Sequence, residues 1–184
     1  DLIINGVTVG ASNADTDLLS SGDKSSSAIA KVAAINAVSS QSGVTATVGK
    51  TIVSGYAQGA QVGSGTFTIN GVATASVNVT ADAGVSRTNV VSAINLISAQ
   101  TGVRAVDTGD LNKGVQLIAD DGRNITVKLT QGTANFTNAT TGIAATQTAA
   151  VTTGSYQLTS VSGAPITLTS SSSGTIANAG VAVG

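Results

Sequence analysis

Closely spaced acidic side chains are the first residues in this chain that could do chemistry. Asp15-Thr16-Asp17 and the run 107–112 (Asp-Thr-Gly-Asp-Leu-Asn) each bring side-chain oxygens together, and oxygen is the ligand that a hard cation such as calcium requires. Neither segment has the length or the closing Glu of an EF-hand loop. The alternative is that these Asp and Asn side chains cap backbone amides in loops and turns. We favour capping and nominate no metal ligand.

Asp120 and Asp121 could be read as a general acid and base. Adjacent residues at a strand end point in divergent directions, however, and Asp121-Gly122 is a typical turn pair. A serine nucleophile needs a base, and the chain has no histidine. A Ser-Lys pair is the remaining possibility, and its candidate bases are Lys24, Lys31, Lys50, Lys113 and Lys128.

Glycine-rich and aromatic segments give no further site. Gly63-Ser64-Gly65 precedes a predicted strand, whereas a phosphate-binding glycine loop follows one and opens a helix. We interpret it as a linker. Tyr56, Tyr156, Phe67 and Phe136 are too few and too dispersed for a sugar-binding platform, and the two Phe are expected in the core. The sequence therefore nominates no catalytic, cofactor-binding or metal-binding residue.

Composition excludes several classes of protein. With 41% hydrophobic and 9% charged residues among 184, the chain can bury a core of Val, Ile, Leu and Ala. A net charge of −1 from scattered residues provides no surface for nucleic acid. The absence of cysteine excludes disulfides. No segment approaches the roughly 18 apolar residues of a membrane helix, and the start at Asp1 suggests an internal fragment.

An internal repeat organises the chain. Ile4-Asn5-Gly6-Val7 returns as Ile69-Asn70-Gly71-Val72, which is 65 residues later. The other two matches are 59 residues apart: Ala34-Ile35-Asn36 with Ala93-Ile94-Asn95, and Ser42-Gly43-Val44-Thr45-Ala46 with Thr101-Gly102-Val103-Arg104-Ala105. The matching segments follow in the same order in both copies, but the offset between the copies falls by six residues after the first match. The loop between the first strand and the helix is therefore six residues shorter in the second copy.

Each copy reads as strand, loop, helix, turn and strand. Strands are predicted over Leu2–Val9 and Thr66–Val72, with Asn-Gly marking a turn or bend in each, and the alternation of Val77 and Val79 continues the second copy. Helices are predicted from apolar residues at helical spacing, namely Ala28, Val32 and Ile35, and then Val90, Ile94 and Ile97.

Capping signals mark both ends of these helices. Ser25 or Ser26 is predicted to cap the first helix and Ser86 the second, because a serine oxygen can accept hydrogen bonds from first-turn amides. Gly43 and Gly102 are predicted to end the helices in a left-handed conformation.

Two hairpins complete the prediction. Alternating residues around Asp120-Asp121-Gly122 predict one over 115–129, and residues around Ser162-Gly163 predict another over 154–169. The stretch 50–65 shows little pattern. We infer an α+β fold of two strand-rich domains, each with a small sheet, a hairpin and one packed helix. Residues 56–147 would be a domain inserted into another formed by 1–55 plus 148–184, with a return crossing in 131–151 and a surface loop at 170–173.

These motifs resemble the flagellins and their filament-cap relatives, in which a short Ile-Asn motif recurs in the outer domains. The resemblance is carried by the two Ile-Asn-Gly-Val motifs, the Ala-Ile-Asn helices, the strands that follow them, and the segment 116–125. It covers about two-thirds of the chain. The long amphipathic terminal helices by which flagellins polymerise are not in this sequence.

The resemblance implies a non-catalytic, secreted, structural module in the variable region of a bacterial flagellin, on the surface of the filament that drives motility. Its partners would be other flagellin subunits, through parts of the protein not present here, and host receptors, antibodies or surface glycans. No nucleic acid, membrane or cofactor is expected, and the fragment alone is expected to be a monomer. The alternatives are a secreted adhesin or carbohydrate-binding module of a cap or repeat protein and, least favoured, a hydrolase domain.

Overall fold

The computed structural model describes residues 1–171 and 176–180. Short helices and antiparallel strands follow one another along the chain, and the strands of the described residues form sheets of two to five strands. The predicted α+β class is confirmed. All strand pairs in this part of the chain are antiparallel, so no long parallel crossover is required.

The first copy of the repeat begins with a tight hairpin. Its turn residues Asn5 and Gly6 have φ angles of 50° and 81°, which is the left-handed pair that a two-residue hairpin loop requires. The elements of this copy are β1 (Leu2–Ile4), β2 (Val7–Thr8), short 3-10 helices at Ala14–Thr16 and Lys24–Ser26, α1 (Ala28–Asn36), α2 (Ser39–Ser42) and β3 (Val44–Val48).

A separate strand, β4 (Thr51–Val53), connects this copy to the second, which follows the same plan. Asn70 and Gly71 form its hairpin turn, with φ angles of 49° and 87°. The elements of the second copy are β5 (Gly63–Ile69), β6 (Val72–Ala73), β7 (Val77–Val79), α3 (Ala83–Asn95), α4 (Ser98–Thr101), β8 (Arg104–Asp107), β9 (Val115–Ala119) and β10 (Ile125–Gln131).

The rest of the chain returns to the first copy. Its elements are α5 (Asn138–Thr141), β11 (Ala150–Thr152), β12 (Tyr156–Ser160), β13 (Leu168–Ser170) and a 3-10 helix at Ile176–Ala179. β12 pairs with β3 and places Leu158 opposite Ala46, as β9 pairs with β8 and places Leu117 opposite Ala105. β13 pairs with β1 as β10 pairs with β5. The repeat therefore includes these two late strands.

Buried apolar side chains form two clusters. The first contains Ile4, Val32, Ile35 and Val44, with Leu158 and other partly buried residues packed against it. The members of the second are Val53, Phe67, Ile69, Val77, Val79, Val90, Ile94, Val103, Ala105, Val115, Leu117, Ala119, Ile125, Val127, Leu129, Phe136, Ile143 and Ala145. The predicted apolar faces of α1 and α3 thus contact different cores.

Two connecting strands extend the sheets of the second copy. β4 pairs with β9, and β11 pairs with β10. Val53 of β4 is 5% exposed and belongs to the larger core cluster. The stretch 50–65 therefore contains a strand that the sequence pattern did not reveal. The division into 1–55 plus 148–184 and 56–147 stays a prediction.

Both predicted hairpins are wrong. β9 pairs with β4 and β8, whereas β10 pairs with β5 and β11. β12 and β13 likewise pair with β3 and β1 instead of each other. The segment between β9 and β10 is bonded to the loop at 20–23. The Asn124 backbone amide donates to Ser20 Oγ at 2.8 Å, and the Asn124 side chain donates to Asp23 O at 2.9 Å. Alternation and a turn pair indicate two strands, but they do not choose the strands' partners.

The predicted helix N-caps are also wrong. Ser27 caps α1, with Oγ accepting from Ala30 N, and Asp82 caps α3, with its carboxylate accepting from Gly84 N and Val85 N. Ser25 and Ser26 lie in the preceding 3-10 helix. Ser86 lies inside α3, where its hydroxyl accepts from Thr80 N at 2.8 Å. The error follows from several polar residues competing at each helix start.

The C-terminal signals are confirmed in part. Gly43 and Gly102 adopt the predicted left-handed conformation, with φ angles of 67° and 70°, but they end the one-turn helices α2 and α4. The predicted helices themselves end earlier, α1 at Asn36 and α3 at Asn95. The segment 63–65 is not a linker, because it begins β5. A Cβ at Gly65 would overlap the Phe136 ring and Thr130 O, so glycine is required there. Of the predicted 170–173 loop, Ser170 ends β13 and 172–175 lie outside the described residues.

Candidate functional site

The two copies of the Ile-Asn-Gly motif hold the same set of hydrogen bonds. Asn70 Nδ2 donates to Thr101 O at 3.0 Å, and Asn70 Oδ1 accepts from Thr126 N at 2.8 Å. Asn5 does the same, donating to Ser42 O at 2.8 Å and accepting from Thr167 N at 2.8 Å. Each asparagine thus ties a hairpin turn to the end of a helix and to a third strand.

A second asparagine pair repeats in the same way. Asn36 accepts from Ala46 N at 2.7 Å and donates to Ala46 O at 3.0 Å. Asn95 accepts from Ala105 N at 2.8 Å and donates to Ala105 O at 3.1 Å. These bonds join the end of each main helix to the strand that follows. The repeated motif was visible in the sequence, but the side-chain role of these residues was not.

The first acidic segment organises its own loop. Asn13 Oδ1 accepts from Asp15 N at 3.0 Å, and Asp17 Oδ1 accepts from Leu19 N and Ser20 N at 2.9 Å each. Burial acts to raise the pKa of the Asp17 carboxyl, but hydrogen bonding to the carboxylate, which includes the Leu19 and Ser20 backbone amides, outweighs it and lowers the pKa. Asp17 therefore acts as an ionised loop cap.

The second acidic segment contains an ion pair that the sequence did not reveal. Asp107 Oδ1 accepts from Arg87 Nε at 2.7 Å and from Gly109 N at 2.8 Å. Arg87 is 8% exposed, and its Nη1 donates to Gln58 Oε1 at 2.9 Å. Asp110 Oδ1 accepts from Asn112 N at 2.8 Å. The oxygens of this loop are thus used by its own amides and by α3.

Asp120 lies between two cationic side chains. Its Oδ2 is 2.7 Å from Arg104 Nε, and its Oδ1 is 2.7 Å from Lys50 Nζ. Hydrogen bonds from Arg104 and Lys50 hold the pKa of Asp120 far below its usual range. A carboxyl with so low a pKa is a poor proton carrier at neutral pH, because it stays ionised.

Asp121 faces a different cation. Arg123 Nη2 is 2.7 Å from Asp121 Oδ2, and Arg123 Nη1 donates to Thr101 O at 3.2 Å. Burial raises the pKa of Asp121, but its bonds with Arg123 outweigh burial and lower it. Asp120 and Asp121 are therefore both ionised, each with its own partner, which is the opposite of the split pKa values of an acid-base pair.

Two of the five candidate lysines pair with aspartates. Lys50 contacts Asp120, and Lys113 Nζ is 3.8 Å from Asp110 Oδ2. No group of three or more His, Cys, Asp or Glu side chains suited to a metal ion occurs among the described residues.

The aromatic side chains divide between core and surface. Phe67 and Phe136 are fully buried, with ring centroids 5.3 Å apart, so their predicted core placement is confirmed. Tyr56 is 43% exposed. The Tyr156 hydroxyl donates to Ala179 O at 2.6 Å, and burial raises its pKa.

A small open cavity lies beside Tyr156. Its volume is about 210 Å³, and it is lined by residues that include Leu2, Val9, Lys31 and Ile35. Typical ligand pockets are larger, at roughly 300–1,000 Å³. One tyrosine whose hydroxyl is already bonded does not make a stacking platform for sugars, and the cavity therefore gives the carbohydrate-binding alternative little support.

No protein-family model matches the chain, and no curated protein matches it either. Within residues 1–171 and 176–180, none of the helices has the length and apolar character needed to cross a membrane.

Proposed function

We propose that this chain is a structural, non-catalytic, surface-exposed module of a bacterial flagellar filament protein, equivalent to part of a flagellin variable region. In this role it would be secreted and would present filament-surface, antigenic or adhesive contacts during motility. The observation that carries the proposal is the repeated Ile-Asn-Gly turn with its matching hydrogen bonds in both copies, because the resemblance to flagellins rests on that motif.

The chemistry of the acidic residues supports a non-catalytic role. Asp107, Asp120 and Asp121 each contact an arginine at 2.7 Å. Asp17 accepts backbone amides. These carboxylates stabilise turns and contacts between strands, and none is aligned with a second carboxyl of opposite protonation state.

Filaments sheared from the source cells provide the test. The purified filament fraction is digested with trypsin, and peptides are identified by mass spectrometry. Cleavage after Arg104, Lys113 and Arg123 releases peptides 105–113 and 114–123. We expect both as abundant components of the filament digest. Their recovery only from a non-flagellar surface fraction would contradict the proposal and favour the secreted adhesin.

A further inference from the structure

The two copies of the repeat differ at one sheet edge. In the second copy, β9 lies between β8 and β4, and Thr51 and Val53 of β4 pair with Ala119 and Leu117. In the first copy, the equivalent strand β12 pairs with β3, and no strand covers its other edge among residues 1–171 and 176–180. The second copy is thus complete where the first is open.

The backbone groups on the open edge can be identified. Gly49 N donates to Ser155 O, and Val161 N donates to Gly43 O. The register places Leu158 opposite Ala46. Together these bonds show that the backbone N–H and C=O groups of Gln157 and Thr159 point toward β3. The amides and carbonyls of Tyr156 and Leu158 then face the other edge. In the described residues, these four groups have no backbone hydrogen-bond partner.

β9 shows the same alternation, with its edge occupied. Thr108 N donates to Gly114 O at 3.1 Å. From this bond, the backbone groups of Gln116 and Ile118 point toward β8, and those of Leu117 and Ala119 point toward β4. β9 and β12 each span five residues, and Leu158 takes the place of Leu117. The edge that β4 occupies in the second copy is therefore the edge that is open in the first.

We propose that the outer edge of β12 is a docking site for an extended, antiparallel polypeptide segment of the β4 type. Unpaired strand edges bind added strands through main-chain hydrogen bonds, and side chains at alternate positions give selectivity. In β4 the inward residues are Thr51 and Val53, while Ile52 is 47% exposed. The added strand would place a small β-branched residue opposite Leu158 and, as Ile52 does in β4, an exposed residue next to it.

The turn after β12 matches the turn after β9. Ser160 O accepts from Gly163 N at 3.4 Å, and Ala119 O, its counterpart, accepts from Gly122 N at 3.3 Å, although Ala119 also pairs with Thr51 of β4. A docked segment in the β4 register therefore lies opposite Leu158 and Ser160. This inference does not depend on the proposed filament function, because it rests on the comparison of the two copies.

An extended chain tests the inference. Residues 50–65 are copied in front of Asp1. The copied Thr51 then precedes Leu2 by the same number of residues by which Thr51 precedes Phe67, the counterpart of Leu2. Amide hydrogen exchange is followed by NMR in the original and extended chains. We expect exchange at the Leu158 and Ser160 amides, the counterparts of Leu117 and Ala119, to slow at least ten-fold in the extended chain. Leu117 and Ala119, already paired with β4, are the internal reference and should be slow in both chains.

A matched control carries Thr51→Pro and Val53→Pro in the copied segment alone, because proline lacks the amide that the ladder requires. It should exchange like the original chain. Unchanged rates at Leu158 and Ser160 in the extended chain, or equal slowing in the proline control, would overturn the inference. Protection that appears only with dimer formation in sedimentation velocity would also overturn it, since the edge would then bind a second copy of the chain.

Discussion

Replacement of Asn70 by alanine tests how the repeated motif stabilises the fold. The side chain makes two hydrogen bonds, to Thr101 O at 3.0 Å and from Thr126 N at 2.8 Å. Each is expected to contribute about 1 kcal/mol. Alanine at a φ of 49° costs about 1 kcal/mol more, because it lacks the short polar side chain that lets asparagine tolerate the left-handed conformation. We therefore expect Asn70→Ala to lower the free energy of unfolding by about 3 kcal/mol.

Urea unfolding followed by circular dichroism measures this change. Asn70→Gly separates its two causes, because glycine loses the hydrogen bonds but accepts the backbone conformation; we expect a loss of about 2 kcal/mol. Asn112→Ala is the matched surface control and should stay within about 0.5 kcal/mol of the original chain. If Asn70→Ala also stayed within that range, or if Asn70→Gly were as stable as the original chain, the reasoning about the motif would be refuted.

Three further predictions follow from the site and the core. In an NMR titration, the Asp120 carboxyl should stay ionised below the usual carboxyl pKa of about 3.9, since Arg104 and Lys50 lower its pKa. Its contribution to stability is present above that value and is lost as pH falls through the lower folded-state pKa, so Asp120→Asn should weaken the dependence of the unfolding free energy on acid pH. An ordinary pKa for Asp120 would contradict the ion pairs. Gly65→Ala should lower the free energy of unfolding by about 2 kcal/mol, measured by urea unfolding, because its Cβ overlaps Phe136. Gly10→Ala should change the free energy of unfolding little, because no atom lies within 4 Å of its Cβ. Equal effects of the two substitutions would contradict the packing at Gly65. Calcium should not shift the melting temperature, because Asp17 accepts backbone amides, and a calcium-dependent shift in calorimetry would favour the adhesin.

Local features of the fold were predictable because their causes are local. The Asn-Gly turns and the glycines after α2 and α4 depend on left-handed backbone conformations that few residues adopt. The apolar spacing of α1 and α3 similarly predicted their buried faces. The class of the fold follows from such signals.

Strand partners were not predictable, since they depend on contacts between distant residues. β9 and β10 surround a plausible turn, yet Asn124 bonds to the loop at 20–23 and the two strands enter different sheets. β4 is too short to show alternation and becomes a strand by pairing with β9. The Arg87–Asp107 ion pair joins residues from a helix and a strand end. No spacing in the sequence indicates that contact.

The most direct test of the proposed function is immunogold electron microscopy of source cells, with antibodies raised against residues 1–184. We expect gold particles along the whole length of the flagellar filaments. Gold on the cell body with unlabelled filaments would contradict a filament-surface module, and gold confined to filament tips would instead assign the chain to the cap.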